Sequence, residues 1–166
     1  MRLDHNEDLI IKFVGEAHDV ATVEFTAGLW ERCQSIGITR FDFFAAGSGY
    51  KTSADKKRAK EPDQLFRTKN TRPKAKDMPT LCIQVCYSES LNQLRCDAHF
   101  WLSQTDKVRV VILIHIENDT VLHVEHWELY GCPTKLEELD LCYQRNGSIT
   151  ANSPYATLHI SAEQDV

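Results

Sequence analysis

Asp63 follows a proline in "KEPDQLF", where a basic loop gives way to a strand-like run. A carboxylate at the start of a strand can hold a hard cation when a second carboxylate comes up on the next strand. The next strand-like run is "PTLCIQVCYSES", and the position where that second carboxylate would stand, twenty-one residues after Asp63, carries Gln84. "LHVEHWEL" brings His123, Glu125 and His126 together in the chain and invites a zinc reading. Neighbours on a strand point to opposite faces, so His126 cannot join His123 and Glu125 in one tetrahedron, and the three read as structural. Ser88, Ser90 and His99 lack a G-x-S-x-G elbow, which leaves no case for a hydrolase triad. The six cysteines, Cys33, Cys82, Cys86, Cys96, Cys132 and Cys142, form no C-x-x-C pair. They read as reduced thiols of an intracellular protein.

Charge supplies a second kind of chemistry. The chain of 166 residues carries a net −5. Ten of its nineteen basic residues fall in one stretch: Lys51, Lys56, Lys57, Arg58, Lys60, Arg67, Lys69, Arg72, Lys74 and Lys76. Only Asp55, Glu61 and Asp63 oppose them, so this stretch is +7 and the remainder −12. Such asymmetry is expected of a polyanion contact, nucleic acid above all, on an acidic body.

These residues need a frame to hold them. Length points to one domain, 1–166, with a core over about 18–130 and a C-terminal extension over 131–166. No run of eighteen apolar residues is present and the N-terminus has no signal-peptide pattern, so an intracellular protein without a membrane span is expected. "LIIKFV" reads as a strand, and His18 to Gly37 as a helix with Val20, Val23, Ala27 and Trp30 on its apolar face. "RFDFFAAG" and "DQLFRT" read as strands, with loops over 51–61 and 69–78. "TLCIQVCY" is almost wholly apolar, as a central strand should be. Ser90 to Gln104 reads as a helix burying Leu91, Leu94, Ala98 and Trp101 or Leu102. "VRVVILIHI" and "TVLHVEHWEL" read as strands joined through "ENDT". Leu136 to Tyr143 reads as helical and "YATLHI" as a late edge strand. The fold class expected is α/β (α+β): a mixed central β-sheet flanked by helices.

The order of helix, "FDFFAAGSG", "PD", "IQV", helix and "VRVVILI" resembles the PD-(D/E)xK nuclease superfamily, the restriction-endonuclease-like fold. "SIGITRFDFFAAGSGY" is similar to the helix end, strand and turn of its archaeal Holliday-junction resolvases. "PTLCIQVCYSESLNQLRCDAHFWL" is similar to a mostly fungal group of the superfamily, whose third core strand reads Pro-x-Leu-x-x-Glu-Val-x-x-Ser-Glu-Ser and is followed by Leu, Asp-Ala and an aromatic pair. The resemblance covers about 18–130. It implies Mg²⁺-dependent hydrolysis of DNA, in which carboxylates and a carbonyl hold the metal and a lysine stabilises developing charge.

Carried over, Asp63 is the metal-bridging aspartate, Gln84 stands at the D/E position, and Val85 supplies the carbonyl. Cys86 replaces the lysine, and Arg95 on the next helix is the candidate to take that role. Glu24 is the helix carboxylate, with Glu31 as runner-up, and Glu89 could supply a displaced one. The resemblance leads to the expectation that Asp63, Gln84 and Glu24 converge at one end of the sheet. Gln84 and Cys86 remove two of the three signature side chains. The chain is therefore read either as a weak Mg²⁺-dependent endonuclease or as an inactive or repurposed nuclease fold that binds without cutting. On the first reading Gln84→Glu should strengthen Mg²⁺ binding. A monomer and a homodimer are both compatible with the sequence.

Overall fold

The computed structural model of the chain describes residues 2–3, 9–10, 16–87, 90–104, 108–118, 120–143 and 149–151. Strands β1 (Arg2–Leu3) and β2 (Leu9–Ile10) form a small antiparallel pair. Then come α1 (Glu16–Ser35), β3 (Phe43–Ala45), β4 (Lys51–Thr52), β5 (Ala59–Lys60), β6 (Gln64–Thr68) and β7 (Leu81–Cys86). They are followed by α2 (Leu91–Gln104), β8 (Val110–Glu117), β9 (Val121–Tyr130), β10 (Cys132–Tyr143) and β11 (Ile149–Ala151). Seven strands make one mixed, mostly antiparallel sheet in the order β11-β10-β9-β8-β7-β6-β3. Among the described residues its one parallel pair is β7 with β8. A parallel neighbour cannot be reached by a tight turn, and α2 is the crossover between them.

Alternation along the inner strands sorts the core into two layers. Leu81, Ile83 and Val85 of β7 lie with Ile112, Ile114 and Val124 in a cluster that includes Trp30 and Cys33 of α1. Cys82 and Cys86 lie with Val111, Leu113 and Trp127 against Leu94, Ala98, Trp101 and Leu102 of α2. The two helices therefore cover opposite faces, and every residue of β7 is buried. The six cysteines are free thiols. None of the described helices is long and apolar enough to cross a membrane.

Helix α1 ends as Gly37 predicts. This glycine has φ +84°, and the Ile38 N–H donates to the Cys33 carbonyl at 2.9 Å, a closure that needs the left-handed residue. The buried face of α1 differs from the expected one. Val20 and Val23 are 53% and 63% exposed, whereas Ala21, Phe25, Leu29, Trp30 and Cys33 meet the sheet. The helix carries two apolar stripes, and the one with Phe25 and Leu29 removes more apolar area from water.

Two further expectations are corrected. Residues 136–143 belong to a strand, β10, not a helix. Gly131, at φ +70°, turns the chain tightly, and β10 pairs along β9 with a bulge between Lys135 and Glu137. Pairing with a full-length neighbour overrides the helix propensity of Leu, Glu and Lys. Residues 51–61 are also more than a loop: Lys51 pairs with Lys60 and Thr52 with Ala59 in a hairpin. Of the expected strand "LIIKFV" only Leu9–Ile10 is described, and "YATLHI" lies outside the described residues, as does Glu89.

Candidate functional site

Asp63 stands at the bend where the chain enters β6. Its N–H donates to the Ile83 carbonyl at 3.1 Å. Beyond the Gln64–Ile83 pair, β7 runs on without a β6 residue opposite it. The Asp63 carboxylate fills that gap, and its Oδ2 accepts from the Val85 N–H at 2.7 Å. Its Oδ1 lies 3.0 Å from Nε2 of His18, a buried residue in the first turns of α1. The other ring nitrogen of His18 is 3.3 Å from Asp19. The imidazole thus sits between two carboxylates, fixed by the helix on one side and the sheet on the other.

The remaining expected residues are distributed differently. Val85 joins Asp63 through its N–H. Gln84 is next in the chain, but its side chain lies on the α2 face with Cys82 and Cys86. It is 5% exposed, and its amide donates to the Glu61 carbonyl at 3.4 Å. Glu24 and Glu31 are exposed on α1, so the α1 side chain that reaches Asp63 is His18. Arg95 points toward β9, where its Nε lies 3.1 Å and its Nη2 2.5 Å from Glu125 Oε1. Asp63 and Val85 are thus brought together, while Gln84, Glu24 and Arg95 do not converge on them.

A second polar cluster occupies the α2 face of β9 and β10. His123, Glu125 and Glu138 bring ligand atoms within 4.8 Å of one another. Glu125 is completely buried. It accepts from Arg95, from Trp127 Nε1 at 2.8 Å and from His123 Nε2 at 3.1 Å, with Lys135 Nζ 3.5 Å away. Burial raises the pKa of its carboxyl, but the bonds from Arg95, Trp127 and His123 outweigh this and hold it at about 2. Burial lowers the His123 pKa, but the bonds to Asp140 and Glu125 raise it by more, for a net rise. Lys135 is bonded to Glu138, which raises its pKa. Three carboxylates, Glu125, Glu138 and Asp140, therefore meet Arg95, Lys135 and a histidine favoured in its cationic form. A dication gains little where the charge is already balanced, so the cluster fits an internal salt network better than a metal centre. His126 faces the other way, 2.9 Å from Glu128, as strand alternation requires. The network was hidden in the sequence because Glu138 and Asp140 meet His123 and Glu125 only if β10 is a strand.

The ten basic residues divide into two sets. Lys51 is buried and donates to the Ala75 and Asp77 carbonyls, each at 3.1 Å; burial and the neighbouring Arg67 lower its pKa. Lys60 pairs with Asp97, Arg67 bonds to the Lys74 carbonyl, and Arg72 bonds to the Pro79 carbonyl. Those four hold the loops in place. Lys56, Lys57, Arg58, Lys69, Lys74 and Lys76 are exposed. Lys69, Lys74 and Lys76 lie on the connection from the end of β6 to the start of β7, the pole opposite Asp63. Among known proteins, no family model, no curated protein and no solved structure matches this chain.

Proposed function

We propose that the chain is a nucleic-acid-binding protein on a PD-(D/E)xK nuclease-like frame, with a corner at Asp63 that does not cut. The observation that carries the reading is the engagement of the Asp63 carboxylate by the Val85 N–H at 2.7 Å and by His18 at 3.0 Å. Mg²⁺ demands near-octahedral oxygen coordination at about 2.1 Å, with carboxylates supplying the charge. Here an imidazole stands on one side of the single carboxylate, and the Gln84 amide is turned to the other face of the sheet. The frame is supported by the order α1, β3, β6, β7, α2, β8, with Asp63 at the entrance to β6 and Gln84 on β7, its antiparallel neighbour. The binding half is supported by the six cations left exposed, whereas Lys51, Lys60, Arg67 and Arg72 are committed to carbonyls or to Asp97.

The test is to measure DNA binding at low salt and Mg²⁺-dependent cleavage on one preparation, with Asp63→Ala as control. The expected result is binding without cleavage in both proteins. Cleavage by the wild type that disappears in Asp63→Ala would make the corner a working endonuclease site. No binding at low salt would remove the nucleic-acid reading.

A further inference from the structure

Phe41 is 76% exposed, more than any other large hydrophobic side chain described. It is held there by a bonded turn. The Thr39 N–H and hydroxyl donate to the Asp42 carboxylate at 3.1 and 2.6 Å, and the Phe41 N–H donates to the Thr39 hydroxyl at 3.2 Å. The Asp42 N–H returns to the Thr39 carbonyl at 3.0 Å, and the Lys69 N–H donates to the Asp42 carbonyl at 2.8 Å. This last bond fastens the turn to the β6–β7 connection. The Lys69 ammonium lies 5.5 Å from the Phe41 ring centroid. Arg40, next in the chain, lies 5.4 Å from the Trp30 ring centroid.

The cation beside this ring belongs to a chain of basic loops. Lys69 opens the connection that also carries Lys74 and Lys76. Lys51 bonds that connection, through the Ala75 and Asp77 carbonyls, to the hairpin whose tip carries Lys56, Lys57 and Arg58. The exposed cations therefore lie on two loops fastened to each other, and the ring stands where the first of them begins.

We propose that Phe41 is a stacking platform for an unpaired base, with Lys69 meeting the adjoining phosphate, so that the preferred nucleic acid is single-stranded. This rests on the reading that the exposed cations meet a nucleic-acid backbone. An exposed ring held by a bonded turn, with a lysine beside it, suits a base, because every base offers a π face and stacking needs no sequence. In a duplex those faces already stack on one another, so a duplex can use the cations but not the ring.

The experiment compares equilibrium binding of the full chain to a labelled DNA single strand and to a duplex of the same length, at one salt concentration. The proteins are wild type, Phe41→Ala, Phe41→Trp, and Lys56→Gln, Lys57→Gln and Arg58→Gln combined. Phe41→Ala should weaken single-strand binding by about tenfold or more and leave duplex binding within about twofold. Phe41→Trp should retain single-strand affinity, which also shows that the turn still folds. The triple substitution should weaken both ligands. Unchanged single-strand affinity in Phe41→Ala, or an equal loss on both ligands, would overturn the platform. In that case duplex binding that still depends on the hairpin cations would leave the broader reading standing. No binding of either ligand by the wild type would overturn both.

Discussion

A buried amide is tolerated when its hydrogens find carbonyls, and Gln84 satisfies that rule at 5% exposure through the Glu61 and Ile83 carbonyls. A carboxylate in its place would face those carbonyl oxygens with no hydrogen to give. Gln84→Glu should therefore destabilise the fold by roughly 1–3 kcal/mol and leave the response to Mg²⁺ unchanged. Chemical denaturation and a Mg²⁺ thermal-shift series check the two halves; a Mg²⁺-dependent rise in Tm confined to the mutant would restore the metal reading. Glu125 presents the opposite case, a buried carboxylate surrounded by donors. Glu125→Ala removes the acceptor shared by Arg95, Trp127 and His123 and should cost about 1–3 kcal/mol. The pH dependence follows from the two shifted groups. The Glu125 pKa is lowered to about 2, so its contribution is full above its unfolded value near 4.5 and fades as pH falls toward 2. The His123 pKa is raised, so its contribution is full below the unfolded value near 6.5 and fades as pH rises through the folded value. Urea midpoints against pH should fall on both sides of that window, and His123→Gln should remove the decline on the alkaline side.

Lys51 joins two elements rather than lining a surface. Lys51→Met would leave the Ala75 and Asp77 carbonyls without their donor. The hairpin and the β6–β7 connection should loosen together, which hydrogen exchange over 51–60 and 74–78 would register as joint loss of protection. The same elements show what the sequence could and could not convey. β7, β8 and α2 were legible because "TLCIQVCY" and "VRVVILI" are apolar on both faces and Leu94, Ala98 and Trp101 recur at helical spacing. β10 was not legible, since "KLEELDL" has helix-forming residues and only the β9 ladder makes it a strand. α1 was half legible: its extent and its glycine stop follow from local rules, but the choice between its two apolar stripes depends on the sheet it meets. Asp63 was recognisable from Pro62 and the strand start, whereas its partner His18 lies forty-five residues away in the chain and no local pattern links them. Of the ten cations, sequence could not separate the four that tie down carbonyls or Asp97 from the six left to solvent.

At the scale of the molecule, Asp63 and the β6–β7 connection occupy opposite ends of β6, separated by its five residues, about 17 Å at the usual rise per residue. Binding at the connection should thus be insensitive to changes at Asp63. It should respond to salt in proportion to the phosphates met. Neutralising Lys56, Lys57 and Arg58 together should flatten the log–log salt slope on duplex DNA by about 2.7 if each meets one phosphate; an unchanged slope would place those three outside the contact. The sheet also has two ends of a different sort. Its outermost described strands, β3 and β11, are three residues each, while the strands between them run from five to twelve. A passing extended chain would find roughly 10 Å of open ladder on β3, too little to template growth of the sheet. The protection is confined to that end: at the other, among the described residues, β11 pairs only with Leu141, Cys142 and Tyr143 of the longer β10. The most apolar of the long strands, β8, is kept in the middle, paired with β7 along one edge and with β9 along the other.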